Sequence, residues 1–106
     1  MTIRLSGRAR ADLEEIRAYT VETWGRDQWL VYYRQLVTAF ERITGYPARG
    51  RDRSLFVPAM RSVNCQRHVI FYKRLDAADG AAVILRIVHL RRNMPALVYY
   101  EDLDGG

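Results

Sequence analysis

Two periodicities of apolar residues run along the chain, and each predicts an element. In "RDQWLVYYRQLVTAFERITGYP", Trp29, Tyr33, Leu36, Phe40 and Ile43 recur at intervals of four, three, four and three. That is one stripe of an α-helix of roughly five turns, ended by Gly45 and Pro47. Upstream, Ala9, Leu13, Ile16 and the run Thr20 to Trp24 fall near one helical face, with Arg8, Asp12, Glu15 and Glu22 off it. Ser6 is placed to cap this first helix, because its hydroxyl can accept from backbone N–H groups that have no partner within the helix. Gly25 suits the other end, since glycine adopts positive φ freely. So short a connection predicts an antiparallel helical hairpin.

The remaining segments read as strands. "TIRLS", residues 2–6, is a short alternating run expected at a sheet edge. Three longer runs, "AMRSVNC", "HVIFYKRL" and "AAVILRIVHL", follow a loop "PARGRDRSLFVP" rich in proline, glycine and arginine, and "DAADG" supplies the turn between the last two. The order β, α, α, β, β, β predicts an α+β fold in which the hairpin packs on a mainly antiparallel sheet of three to four strands. One domain spans 1–106, with an ordered body at about 2–92. The segment 93–106 is interrupted by Pro95 and ends acidic and glycine-rich, so it is expected to be partly flexible, with "ALVYY" against the body.

The stretch "QRHVIFYKR" sharpens the problem of cover. Alternation puts His68, Ile70 and Tyr72 on one face and Val69 and Phe71 on the other. The last strand likewise sets Ile84 and Val88 opposite Leu85 and Ile87. A two-helix hairpin covers one face, which leaves an apolar face in surplus, the usual mark of a protein partner. The competing expectation is that residues 95–103 fold back over it. On the first expectation, the partner covers the face carrying Ile70, Tyr72, Ile84 and Val88. Arg86, held on that face by strand backbone, would meet a partner carboxylate at less entropic cost than the loop residues Arg49, Arg51 and Arg53.

Composition narrows the class. A hydrophobic fraction of 49% and no apolar run of the roughly 18 residues a span requires predict a cytoplasmic globular domain with no membrane association. The single Cys65 excludes an internal disulfide framework, and two separated histidines argue against a metal site, so no cofactor is expected. The net charge of +5 favours an acidic partner, either nucleic acid or an acidic protein surface. On the second helix Arg34 and Arg42 lie outside the stripe, too few for docking in a DNA groove.

The elements "ARADLEEIRAYTVETWG", a second helix ending near "YPARGR", "MRSVNCQRHVIFYKR" and "ILRIVHLRR" together resemble the ParE toxins of the RelE/ParE toxin-antitoxin superfamily, over about residues 4–92. The resemblance implies a toxin that inhibits DNA gyrase and blocks replication. It also implies a ParD-like antitoxin that neutralises the toxin in a hetero-oligomer and makes any DNA contact itself. Arg61, Arg91 and Arg92 are then target-binding candidates, and Ile70, Tyr72, Ile84, Arg86 and Val88 antitoxin-binding ones. On that reading the chain is not an enzyme.

RelE-like members of the superfamily instead cleave mRNA on the ribosome. That chemistry needs a proton acceptor, cations on the scissile phosphate and an acid for the leaving oxygen. The matching constellation here is Arg61, His68, Arg91 and Tyr99. It departs from the RelE pattern, in which arginine usually holds the position of His68 and a tyrosine follows the C-terminal arginine by six residues. Six residues after Arg91 stands Leu97.

Overall fold

The computed structural model describes residues 3–74 and 82–90. β1 (Ile3–Leu5) leads into α1 (Gly7–Trp24) and α2 (Arg26–Gly45), and a 3₁₀ turn at Pro47–Arg49 precedes β2 (Arg51–Asp52). β3 (Met60–Cys65), β4 (His68–Arg74) and β5 (Ala82–His89) complete a five-stranded sheet of order β1-β5-β4-β3-β2. β1 lies at the predicted edge and runs parallel to β5, while every other pairing is antiparallel. The expected α+β architecture therefore holds, with a mixed sheet. The strand beyond the expected number is β2, two residues inside what reads as a surface loop and too short to show a period.

The hairpin forms where its caps allow. Ser6 Oγ accepts from Ala9 N at 3.0 Å, and Gly25, at φ 96°, ends α1 by donating its N–H to Val21 O at 3.0 Å. The same glycine precedes α2, so one residue with left-handed backbone reverses the chain. Trp29, Leu36, Phe40 and Ile43 of the predicted stripe are buried, and Tyr33 is not, at 41% exposed. The stripe turns through Tyr32 instead, which packs against the core while Tyr33 lies along Trp29 with ring centroids 5.5 Å apart. Spacings of three then four fit a helix as well as four then three, so periodicity does not choose between adjacent tyrosines.

The sheet is buried on both faces. The hairpin covers Cys65, Ile70, Tyr72, Ala82, Ile84 and Ile87. Met60, Val69, Phe71 and Val88 form a second cluster on the opposite face, where the loop between β2 and β3 contributes Val57 and Phe56. Residues 95–103, the alternative cover, lie outside the described residues, as does the "DAADG" turn.

One irregularity corrects the predicted faces. β4 and β5 pair Phe71 with Arg86 but Tyr72 with Ile84, so Leu85 is an extra residue in β5. The bulge shifts the alternation: Ile84 and Ile87 both belong to the hairpin-side core, and Val88 to the other. Ile70, Tyr72, Ile84 and Val88 therefore do not share a face. The first three are the floor beneath the hairpin, each nearly inaccessible, and offer no surface to a partner.

Tyr72 also fastens the segment before β2. Its hydroxyl donates to Pro47 O at 2.6 Å and accepts from Gly50 N at 3.1 Å, and a Cβ at Gly50 would overlap the hydroxyl. Replacing Gly50 with alanine should lower stability to urea by about 2 kcal/mol, the scale of overpacking a closed site. Tyr72→Phe should lose about 1–2 kcal/mol by leaving two backbone groups unpaired. Because the second change removes the oxygen that the first collides with, the double variant should lose clearly less than the sum. Strict additivity would mean that the two groups do not meet.

Candidate functional site

Three features surround the hairpin-side core, and each begins from a polar residue that the packing has to accommodate. The first is internal. Asp12, two turns into α1, is buried, and its carboxylate accepts from Arg86 Nε at 2.7 Å, Arg86 Nη2 at 2.9 Å and Ile87 N at 3.0 Å. Ser6 Oγ donates to Leu85 O at 2.8 Å, on the other side of Arg86. Asp12 of α1 and its N-cap Ser6 thus bond backbone groups on either side of Arg86, next to the bulge. Asp12 was expected on the outer face of α1 and is instead on the inner one. Arg86 is 4% exposed and its guanidinium is spent on Asp12, so its predicted role as a partner-facing cation is corrected: it is an internal strut.

The second feature is a groove of about 960 Å³ between the hairpin and the His68 and His89 end of β4 and β5. Glu15, Thr20, Trp24, Tyr32, His68 and His89 contribute to its walls. Tyr32 donates its hydroxyl to Cys65 O at 3.2 Å, and the same oxygen lies 2.5 Å from His68 Nδ1. The His68 and His89 rings meet edge to face, 5.3 Å apart. Burial pushes the Tyr32 phenol above the usual tyrosine range, with a smaller contribution from Cys65, and burial also raises the Cys65 thiol. Sequence reasoning missed Tyr32 because it assigned the stripe to Tyr33. Among the described residues no group of three metal-ligating side chains occurs.

The third feature is a groove of about 890 Å³ between α2 and β3, with Arg34 and Arg42 on the helix wall and Arg49 at one end. Arg49 sits over the Tyr46 ring at 5.6 Å. The neighbouring arginines differ from expectation. Arg53 was read as a surface-loop residue, yet it is half-buried: its N–H bonds Met60 O, its Nε bonds Ser62 Oγ at 2.9 Å, and its guanidinium lies 5.8 Å over Phe71. Arg51 forms part of β2.

Of the residues proposed for mRNA cleavage, the two described ones lie apart. Arg61 stands opposite Tyr72 and donates to Gly50 O at 2.8 Å, at one end of the β3–β4 hairpin. His68 pairs with Cys65 at the other end, against Tyr32. Arg91, Arg92 and Tyr99 lie outside the described residues.

A mixed five-stranded sheet with a helical hairpin on one face, bordered by two open grooves, defines a small α+β domain of RelE/ParE-like architecture. A family model described as the ParE toxin of the type II toxin-antitoxin system parDE matches residues 3–94. Toxin ParE1 of Caulobacter vibrioides is 34% identical over 94 residues, covering 88% of this chain and 93% of that protein. Toxin ParE1 of Mycobacterium tuberculosis is 33% identical over 90 residues, 85% of this chain and 90% of that one. Toxin ParE of Escherichia coli is 31% identical over 90 residues, 85% of each. A solved structure titled as the chromosomal ParDE TA system from P. aeruginosa shares the fold, with a TM-score of 0.69 at 20% identity over 86% of this chain and 97% of that one. The chain belongs to the ParE toxin family of type II toxin-antitoxin systems.

The raised Tyr32 phenol has a sign in stability. Above the usual tyrosine value of about 10 the unfolded chain loses a proton that the folded chain keeps, so stability falls as pH rises. Urea midpoints across that range should fall less steeply for Tyr32→Phe than for the parent. Tyrosinate absorbance of the folded variant should be missing amplitude only at the alkaline end of the transition. Amplitude lost from the early part would mean that the phenol is open to water.

Proposed function

We propose that this chain arrests growth by inhibiting DNA gyrase and so blocking replication, and that a ParD-like antitoxin neutralises it in a toxin-antitoxin hetero-oligomer. Membership of the ParE family supports the toxin role and the kind of partner. The observation that carries the choice of a gyrase inhibitor over a nuclease is the separation of Arg61 from His68. Arg61 is held by Gly50 O and His68 by Tyr32, at opposite ends of one hairpin and four register positions apart. Such a toxin acts by binding, needs no cofactor, and leaves sequence-specific duplex contact to its antitoxin.

The antitoxin needs a surface other than the predicted one. Tyr19 and Trp24, 66% and 62% exposed, both line the 960 Å³ groove. Large exposed aromatics beside a groove are the residues that a partner buries first. No helix among the described residues is long and apolar enough to cross a membrane.

Expression of the chain alone in a bacterial host should stop growth, and co-expression of the protein encoded beside it should restore it. Restoration should fail for a Tyr19→Ala/Trp24→Ala variant that remains soluble and toxic. Purified protein should inhibit gyrase supercoiling or trap cleaved DNA while mRNA in a translating extract stays intact. Codon-phased mRNA cuts that disappear in Arg61→Ala or His68→Ala would contradict this reading and favour the RelE-like one.

A further inference from the structure

Arg34 and Arg42 lie eight residues apart on α2, about 12 Å along the helix at its usual rise, with Thr38 between them on the same wall. Arg49 closes one end of the groove, and Asn64 and Gln66 of the β3 edge and its turn face the helix from across it. No carboxylate is among the residues that line it. Among the described residues, none of the three arginines pairs with an acid. Three unneutralised guanidinium groups on one groove repel one another, and they are arranged for a ligand that brings several negative charges.

From this we infer that the α2–β3 groove binds the phosphate backbone of a single nucleic-acid strand, independently of the gyrase reading. The lining decides between polyanions. An acidic amphipathic helix would need apolar anchors, but Ile43 and Cys65 on the floor are already buried, Ala39 and Val63 are only partly open, and the exposed Tyr46 carries Arg49 on its ring. The accessible groups are mostly hydrogen-bond donors, which suits phosphate oxygens repeated along a chain. The donors stand on both walls, so the ligand runs between α2 and β3 as one strand, whereas a duplex would touch only the rim. Arg34 and Arg42 were too few for docking in a duplex groove. The fold adds Arg49 from a separate element, and a single strand requires only a row of cations. Tyr46, already carrying Arg49 on its ring, helps to fix that cation rather than serving as an open base-stacking platform.

The probe is a fluorescein-labelled oligothymidylate, read by anisotropy across a salt series with the full chain. Each phosphate neutralised on a single strand contributes about 0.7 to the slope of log K against log salt. Replacing Arg34, Arg42 and Arg49 by glutamine should therefore reduce that slope by about 2 and weaken binding by about tenfold or more at low salt. A charge-matched control, Arg4→Gln/Arg10→Gln/Arg26→Gln, should keep the parental slope, and both variants should unfold at the parental temperature. Equal slope losses in the two variants would overturn the groove assignment in favour of diffuse charge. Stronger competition by duplex DNA or by polyglutamate than by the unlabelled strand would overturn the choice of ligand, as would no binding at all.

Discussion

The Asp12 carboxylate is the contact on which the rest of the arrangement depends. A sheet that carries an extra residue in its second strand from the edge has backbone groups out of the ladder, and buried groups of that kind destabilise unless something pairs with them. Here α1 and its N-cap bond the backbone next to the bulge. Ser6 takes Leu85 O, and Asp12 takes Ile87 N together with the Arg86 side chain that the bulge turns inward. The same contacts fix where the hairpin lies, and so where both grooves open. Charges buried in this way add little net stability over a well-packed apolar alternative, but they penalise any other docking of the hairpin, because that would strand a carboxylate or a guanidinium.

Much of this fold was legible in the sequence because local chemistry and global packing agree. Ser6 and Gly25 cap the first helix as their side chains and backbone freedom dictate, and the second helix ends where Gly45 and Pro47 stand. The three long strands fall within a residue or so of their apolar runs. The failures lie where a local pattern is ambiguous or too short and a contact between distant segments decides. Every position of "VILRIVH" except the arginine and histidine is apolar, so nothing in the run marks Leu85 as the extra residue. Asp12 looks like a solvent-facing acid until Arg86 is known to point at it, although Ala9, Leu13 and Ile16 around it already spaced an inner face. Two residues of β2 carry no period at all, and only their pairing with Arg61 and Ser62 reveals a strand.

The correction at Arg86 changes how the positive charge of the chain is understood. A cation inside a strand run seemed best fixed for recognition, yet strand position fixes it equally well for an internal pair. Arg86, Arg61 and Arg53 are each committed, to Asp12, to Gly50 O and to Ser62 with Phe71. Among the cations not committed in this way, Arg34, Arg42 and Arg49 share one groove on α2 and the 3₁₀ turn. The predicted division between strand arginines and loop arginines therefore does not hold, since Arg53 of the loop is committed as Arg61 and Arg86 are. Of the nuclease constellation, Arg61 and His68 are held at separate places, by Gly50 O and by Tyr32.

A double-mutant cycle across Asp12 and Arg86, measured by urea denaturation, tests the claim that this pair fastens the hairpin to the bulged sheet. Asp12→Ala and Arg86→Met should each lose about 3–5 kcal/mol, the scale of breaking one side of a buried ion pair. The double variant should recover about 2 kcal/mol or more of their sum. Single losses below about 1 kcal/mol, or losses that add to within about 0.5 kcal/mol, would contradict the account and return Arg86 to the surface.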